Sequence, residues 1–280
     1  MNQRSYDNSP SLYLIPTPIG NMEDITFRAI NILKKVDVIL CEDTRVTGQL
    51  LKHFDIKKKM ISCEDHNESK AKEVALDLLK LGKNIGLLTD RGTPIISDPG
   101  YKVVQFVIEN GFNVISLPGP TAFVPALTMS GIAPSPFMFY GFLNSKASKR
   151  EKELANLKKE KATLIFYEAP HRIKDTMQSI FNVFGNRDAC LCREISKLYE
   201  EVIRGKVNDI INNLDNIKGE LVIVVEGNTD VDNFENMSIL EHMNLYLEDG
   251  MTEKEAMKKV AHDRKIPKSE VYKEFHIGKW

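Results

Sequence analysis

Short apolar runs alternate with helix-like stretches through the first half of this chain, and this alternation constrains the fold most strongly. The runs end at turn-forming residues, and the segments between them repeat apolar residues at helical spacing. A β-α-β-α-β order of this kind is typical of a parallel sheet covered by helices. The predicted strands are "LYLIP" (12–16), "VDVILCE" (36–42), "NIGLLTD" (84–90) and "FNVISLPGP" (112–120).

Loops of unusual composition follow all four of these predicted strands. They read "PTPIGN" (16–21), "CEDTR" (41–45), "TDRGTP" (89–94) and "LPGPTA" (117–122). The third continues into "IISDPG", which places the apolar pair Ile95 and Ile96 among glycines, prolines and acids. An ordinary solvent loop seldom contains such a pair. Because ligands of open sheets bind beyond the carboxyl ends of the strands, the sequence predicts a ligand site where these loops meet.

The pattern of apolar runs and helix-like stretches changes at "GIAPSP" (131–136), which indicates a domain junction. Beyond it, strand-like runs outnumber helical ones, which favours an α+β arrangement for the second unit. The polar stretch "NTDVDNFENM" (228–237) reads as a linker, and apolar residues at helical spacing follow it. The sequence therefore predicts an N-terminal α/β domain (11–131), a second α/β domain (132–228) and a small helical module (236–280).

Composition excludes several classes of protein. The chain has 280 residues, 42% of them hydrophobic, and its net charge of −1 gives no overall attraction to nucleic acid. No run reaches the length of a membrane span, the N-terminus does not resemble a signal peptide, and the four scattered cysteines predict reduced thiols in a cytoplasmic protein. The dinucleotide fingerprint, the P-loop, the zinc-protease motif and the nucleophile elbow are all missing, and the six histidines have no metal-binding spacing.

Charge is concentrated in one stretch of the second unit. Residues 144–161 carry seven lysines and arginines against three glutamates. A solvated helix face is one interpretation, and contact with RNA phosphates is the other, because a balanced protein can bind RNA through a local basic surface.

Nine motifs in series resemble one known family. They are "LYLIPTPIGNMEDITFRA", "CEDTR", "DHNE", "TDRGTPIISDPGY", "LPGPTA", "FYGFL", "IFYEAPHR", "REISKLYEEVIRG" and "KGELVIVVEG". Together they resemble the small-subunit ribosomal RNA methyltransferase I family, the ribosomal branch of the tetrapyrrole-methylase-like (class III) S-adenosylmethionine methyltransferases. The resemblance covers residues 11 to 228, and the terminal helices resemble that family's helix-turn-helix-like tail.

The resemblance implies two α/β domains of the tetrapyrrole methylase type, with S-adenosylmethionine folded into the cleft between them. It implies methyl transfer to the ribose 2′-oxygen of a cytidine in the decoding region of 16S rRNA, within the small ribosomal subunit, by a cytoplasmic homodimer. Glycines would let the backbone approach the cofactor, and Ile95 and Ile96 would contact it. The implied cofactor-binding residues are Pro16, Pro18, Gly20, Asp90, Gly92, Thr93, Pro94, Ile96, Gly119, Thr121, Ala122, Tyr167, Glu168, Ala169 and Leu221.

Catalytic and RNA-binding residues are candidates on the same basis. The candidates for proton transfer from the hydroxyl are Glu42, Asp43, His66 and Glu68, and those for RNA contact are Arg45, Lys149, Arg150, Lys152, His171, Arg172 and Arg193. Arg91 departs from the family pattern, which has a small residue there, and can pair with Asp90 or Asp98 or point toward RNA.

Two alternatives remain open at this point. One is an enzyme of the same fold that methylates a small molecule such as a tetrapyrrole, although "PTPIGN" replaces the glycine-rich loop usual in such enzymes. The other is a non-catalytic RNA-binding assembly factor that keeps the fold, which Arg91 would favour.

Overall fold

The first half of the chain forms a five-stranded sheet in which every neighbouring pair of strands is parallel. Its strands are β1 (Ser11–Leu14), β2 (Val38–Cys41), β3 (Lys59–Ser62), β4 (Ile85–Leu88) and β5 (Asn113–Ser116), in the order β3-β2-β4-β1-β5. The helices are α1 (Phe27–Lys35), α2 (Thr44–His53), α3 (Glu68–Lys80), α4 (Tyr101–Glu109) and α5 (Phe123–Ser130). The parallel α/β architecture predicted from the alternating pattern is therefore confirmed.

These coordinates come from a computed structural model that describes residues 3–5, 7–64, 66–214, 217–229, 237–248 and 250–277. Strands β2 and β4 are buried along their whole length, as expected for the interior of a sheet covered on both faces. Local capping fixes where helices begin. The side chain of Thr26 accepts a hydrogen bond from the N–H of Ala29 at the start of α1, and Asp43 caps α2 through the N–H of Arg45.

A second, mixed sheet follows. Its strands are β6 (Phe137–Phe142), β7 (Thr163–Glu168), β8 (Asp188–Arg193), β9 (Glu201–Lys206) and β10 (Leu221–Val225), in the order β6-β7-β10-β8-β9. Strands β6 and β7 are parallel and the other pairs are antiparallel. Helices α6 (Ala147–Leu157), α7 (Ile173–Phe184) and α8 (Val207–Ile211) accompany this sheet. The predicted richness in β structure is confirmed.

The two sheets share one hydrophobic cluster. Ala126 and Leu127 of α5 pack with Ile165 and Val222 of the second sheet, and Ile19 from the loop after β1 joins them. Because α5 precedes the second sheet in the chain yet packs on it, the loops that follow the first sheet are held against the second. The cleft between the sheets lies at this junction.

The chain divides into two compact units, residues 1–228 and 229–280. The second unit contains α9 (Ile239–Glu248), α10 (Glu253–Arg264) and α11 (Lys268–Ile277), and its core includes Met243, Val260 and Phe275. The domain limits predicted at 131 and 228 stay predictions, and residue 236, the predicted start of the module, lies outside the described residues.

Two further observations bear on the class of protein. All four cysteines are buried free thiols. Among the helices of the described ranges, none combines enough length with enough hydrophobicity to traverse a bilayer.

Candidate functional site

A cavity of about 220 Å³, here called the central cavity, lies between the two sheets. The loops after β1, β4 and β5 form one wall, and residues of the second sheet and its connections form the other. Of the residues predicted to bind cofactor, the following eight line it: Gly92, Thr93, Ile96, Thr121, Ala122, Tyr167, Glu168 and Leu221. These eight predicted residues thus come together around one cavity, while their role in binding the cofactor stays a prediction.

Hydrogen bonds between loops give the first wall its shape. Thr17 and Gly92 exchange two backbone hydrogen bonds of 2.9 and 3.0 Å, which join the loops after β1 and β4. The hydroxyl of Thr93 donates to the carbonyl of Pro120 at 2.9 Å and so ties in the loop after β5. Gly92 has a φ of +85°, a conformation that L residues rarely adopt. The wall is a fixed backbone surface.

The apolar pair in this segment divides between two environments. Ile96 lines the central cavity with 40% of its surface exposed. Ile95 instead packs against the core of the first domain, and it does so with a φ of +78°. Ile95 does not line the described cavities, and its predicted contact with the cofactor stays a prediction. A β-branched residue in the left-handed region stores strain, of the kind found at ligand sites.

Other predicted cofactor residues lie beside the central cavity. Pro18, Gly20 and Asp90 line a second cavity of about 200 Å³, here called the side cavity, and Arg91 lines both. Pro16 and Gly119 are in direct contact, because a Cβ placed on Gly119 would lie 2.6 Å from the Cβ of Pro16. Pro16, Pro94, Gly119 and Ala169 are not among the residues that line the described cavities.

A third and larger space, the acidic cleft, has a volume of about 550 Å³. Residues after β2, β3 and β4 line it: Glu42, Asp43, Thr44, Arg45, Ser62, Glu64, His66, Asp90 and Pro99. Three of the four candidate catalytic residues thus meet in one place. Asp65, within the "DHNE" motif, lies outside the described residues.

The fourth candidate, Glu68, is in a different environment. Its side chain is buried and accepts hydrogen bonds from the N–H groups of Gly100 and Lys102 at 3.0 and 2.8 Å. The ammonium group of Lys102 lies 3.4 Å from the same carboxylate. Glu68 therefore fixes the start of α4 and lines none of the described cavities, and its candidate catalytic role stays a prediction.

The acids of the cleft differ in their hydrogen-bond partners, and the pKa values of Asp43 and Asp90 shift in opposite directions. The guanidinium of Arg45 donates to both oxygens of Asp43 and lowers the pKa of that carboxyl to about 2. Glu42 accepts hydrogen bonds from the hydroxyl of Thr89 at 2.8 Å and from the N–H of Asp90 at 3.3 Å. Burial raises the pKa of Asp90, and the negative charges of Glu42 and Asp43 act in the same direction.

Arg91 forms an ion pair with Glu220, a partner 129 positions away that sequence reasoning did not consider. Both residues line the central cavity. Arg91 lies in the loop after β4, and Glu220 immediately precedes β10. Lys197 extends the network, since its ammonium lies 2.9 Å from Glu220 and 2.8 Å from Glu194. We call these four residues the ionic bridge.

Comparison with known proteins decides the family. The model of the "Tetrapyrrole (Corrin/Porphyrin) Methylases" matches residues 11–211, which span both sheets up to the end of α8. The chain belongs to this family. It also belongs to its ribosomal branch. A relative from Bacillus subtilis named "Ribosomal RNA small subunit methyltransferase I" is 47% identical over 274 residues, covering 95% of this chain and 94% of that protein. One of the same name from Halalkalibacterium halodurans is 44% identical over 284 residues, covering 98% of each.

Solved structures of tetrapyrrole methylases share the fold. Uroporphyrin-III-C-methyltransferase from Thermus thermophilus superposes with a TM-score of 0.56 at 19% identity, covering 77% of this chain and 94% of that one. A cobalt precorrin-4 methyltransferase gives a TM-score of 0.58 at 18% identity, covering 81% and 98%. At these identities the likeness concerns the fold alone.

The candidate RNA-binding residues divide into exposed and engaged side chains. Arg45, Lys149, Lys152 and His171 are exposed. Arg150 is only 4% exposed, and its guanidinium donates to the hydroxyl of Ser179 at 3.0 Å. The predicted phosphate contact of Arg150 is therefore wrong, because α6 turns this residue into the second domain.

Two further arginines of that set hold the second domain together. Arg172 donates to the carbonyl of Leu143 at 2.7 Å and lies 3.2 Å from the buried carboxylate of Glu168. Arg193 pairs with Glu201 at 2.9 Å on the neighbouring strand β9. Both guanidinium groups are mostly covered, so the exposed cations are the ones that remain available to phosphates.

The resemblance implied pocket residues over 16–20 and 219–224, which include Ile19, Glu220 and Val222 of the central cavity. Sequence reasoning missed Ser97, Asp98, Phe142 and Ile195. Ser97 and Asp98 belong to the same composed segment as Gly92, so extending that motif to its end would have found them. Phe142 comes from the second sheet, and only the packing of the two sheets brings it to the first sheet's loops.

Proposed function

We propose that this chain transfers a methyl group from S-adenosylmethionine to ribosomal RNA, at the ribose 2′-oxygen of a cytidine in the decoding region of 16S rRNA. The observation that carries this proposal is the near full-length similarity to relatives named "Ribosomal RNA small subunit methyltransferase I". The proposed substrate is the small ribosomal subunit in the cytoplasm, and the proposed active form is a homodimer, as the family resemblance implies.

The central cavity fits the proposed methyl donor. Ile19, Ile96 and Val222 offer apolar surface for the adenosine, and the hydroxyls of Thr93 and Thr121 offer polar contacts. With the adjoining side cavity, the space reaches the lower part of the range of about 300 to 1,000 Å³ that small-molecule sites occupy.

S-adenosylmethionine supplies a positively charged sulfonium with an electrophilic methyl group. Three acids are among the residues that line the cavity: Asp98, Glu168 and Glu220. The carboxylate of Glu168 is buried, where the hydroxyl of Thr176 donates to it at 2.5 Å and the N–H of Ala169 at 2.8 Å, and the guanidinium of Arg172 balances its charge at 3.2 Å.

The protein's remaining task is to align the hydroxyl and to help it lose its proton. The acidic cleft adjoins the site on the first sheet's side and contains Glu42, Asp43 and His66. The exposed cations Arg45, Lys149 and Lys152 and the exposed imidazole of His171 are proposed to contact RNA phosphates. Such contacts fix the position of the strand but read no bases.

Incubation with labelled S-adenosylmethionine tests the proposal. Purified small subunits, free 16S rRNA and a tetrapyrrole precursor are offered in parallel, and the labelled RNA is digested to nucleosides. We expect label in the subunit RNA, recovered as 2′-O-methylcytidine. Label in the tetrapyrrole alone would favour the small-molecule alternative. Binding of subunits without any transfer would favour a non-catalytic assembly factor.

A further inference from the structure

Asp90 is shared by two of the three cavities. It lines both the acidic cleft and the side cavity, and its neighbour Arg91 lines both the side cavity and the central cavity. Asp90 stands two residues beyond the end of β4, and Gly92 beyond it forms the central cavity wall. Asp90 and Arg91 thus link the acidic cleft, through the side cavity, to the central cavity.

The other acids of the cleft line that space alone among the described cavities, and each of them accepts hydrogen bonds. Asp43 is committed to the guanidinium of Arg45 and to the start of α2. Glu42 accepts from the Thr89 hydroxyl and from a backbone N–H through Oε2. Glu64 accepts from the hydroxyl of Ser62 at 2.8 Å.

The acids of the central cavity are no better placed to receive a proton. Glu168 is buried against Thr176 and Arg172, and Glu220 belongs to the ionic bridge. Asp98 lines the central cavity but not the acidic cleft. None of these three residues lines the acidic cleft or the side cavity.

Asp90 itself is held on one side and open on the other. Its Oδ1 accepts the N–H of Asp43 at 3.0 Å, and Oδ2 accepts no hydrogen bond from the described residues. Burial raises the pKa of Asp90, Glu42 and Asp43 raise it further, and Arg91 opposes them. Arg45, Glu64 and His66 are the remaining charged or titratable groups that face the cleft. A carboxylate with a raised pKa is a stronger base.

We infer that Asp90 is the catalytic residue that accepts the proton of the ribose hydroxyl during methyl transfer. This inference rests on the proposed function. The O–H bond of the ribose breaks and its proton passes to Oδ2 of Asp90, while the ribose oxygen forms a bond to the methyl carbon. The bond between that carbon and the donor sulfur breaks, and its electron pair stays on the sulfur.

The substitution Asp90→Asn tests the inference, because the amide keeps an oxygen for the N–H of Asp43 and loses only the basic oxygen. The assay is single-turnover methyl transfer to small subunits. We expect the rate to fall by about 10²- to 10⁴-fold, the usual contribution of a positioned base. Calorimetry with S-adenosylhomocysteine should show a Kd within about twofold of the wild-type value, since the isosteric amide leaves the shape of the side cavity unchanged. Asp77→Asn, a carboxylate-to-amide change on the exposed face of α3, is the matched control and should leave both quantities unchanged.

Two pH measurements separate a base from a residue that only holds the loop. In the wild type the rate should rise with pH as Asp90 loses its proton, and this limb should disappear in Asp90→Asn. Independently of activity, the carboxyl carbon resonance of Asp90 should titrate above the ordinary aspartate pKa of 3.8.

The possible outcomes are distinct. A wild-type enzyme that methylates subunits, with Asp90→Asn nearly as fast or with an unchanged pH limb, would overturn the inference and leave the proposed function intact. A wild-type protein that methylates no RNA would overturn both. A rate loss accompanied by an equal loss of S-adenosylhomocysteine binding would assign Asp90 to the cofactor site and also overturn the inference.

Discussion

Replacing Gly92 by valine should weaken cofactor binding and should do so beyond its effect on stability. Gly92 has a φ of +85°, and its backbone exchanges two hydrogen bonds with Thr17. A Cβ at this position would lie 3.4 Å from Cγ2 of Ile19 and 3.8 Å from the carbonyl oxygen of Pro120, so space for one carbon exists. The γ-methyl groups of valine extend farther, into the cavity that Gly92 lines.

The magnitude has two parts. An L residue in the left-handed region costs about 1–2 kcal/mol of folding free energy. Each methyl-sized contact taken from a ligand is worth about 0.8 kcal/mol, so two γ-methyl groups cost about 1.6 kcal/mol of binding. This second part corresponds to somewhat more than a tenfold increase in Kd.

Gly82 offers a matched control for the first part. Its φ of +77° is similar, an added Cβ would meet nothing within 4 Å, and it does not line the central cavity. Gly82→Val should therefore lower Tm by about 2–8 °C and leave the Kd for S-adenosylmethionine unchanged. Gly92→Val should lower Tm by a similar amount and raise the Kd at least tenfold in calorimetry. Equal Kd values for the two variants would refute the assignment of this loop to the cofactor site.

Three further predictions concern charge. Changing Lys149 and Lys152 together to alanine should lower the salt slope of subunit binding by about 1.4–1.8 units. Arg150→Met should instead lower Tm and leave the slope unchanged, because its guanidinium is buried. Equal slopes for the wild type and both variants would show that the two lysines do not contact RNA phosphates. Glu168→Leu should lower the free energy of unfolding by about 3 kcal/mol in denaturant titrations, because Arg172 and the buried Thr176 hydroxyl lose their partner. A loss below about 1 kcal/mol would show that this buried ion pair does not stabilise the second domain. The guanidinium of Arg45 lowers the pKa of Asp43 from 3.8 to about 2. The Tm difference between wild type and Asp43→Asn should therefore be full above about pH 4 and vanish as the pH falls through 2. A Tm difference that persists below about pH 2 would show that another contact causes it.

The periodic features of this sequence predicted the fold well. Apolar runs marked β2 and β4 because both are buried on both faces, and composition alone marked the loops beyond them as a ligand site. Parallel strands place their carboxyl ends at one edge, so the meeting of Glu42, Asp43 and Asp90 follows from topology once the strands are known.

Features that depend on three-dimensional packing were beyond the same reasoning. Arg150 lies within a run of lysines, and only the orientation of α6 against α7 distinguishes it from Lys149. Glu220, the partner of Arg91, immediately precedes β10. This strand is the last in the chain but lies in the middle of its sheet. Ile95 adopts a backbone conformation that a β-branched residue disfavours, so local preference alone could not indicate that its side chain packs on the first domain's core.

The ionic bridge gives this protein a second response to electrolyte. Arg91 and Glu220 are 53% and 58% exposed, so mobile ions screen their attraction, with a Debye length of about 8 Å at physiological ionic strength. Added salt makes the release of counterions from RNA less favourable, and it loosens the link between the two sheets at the same time. The exponent that relates methyl transfer to salt concentration should then exceed the exponent for RNA binding. The excess measures how far the link between the two sheets, rather than capture of the substrate, is an electrostatic requirement of methyl transfer.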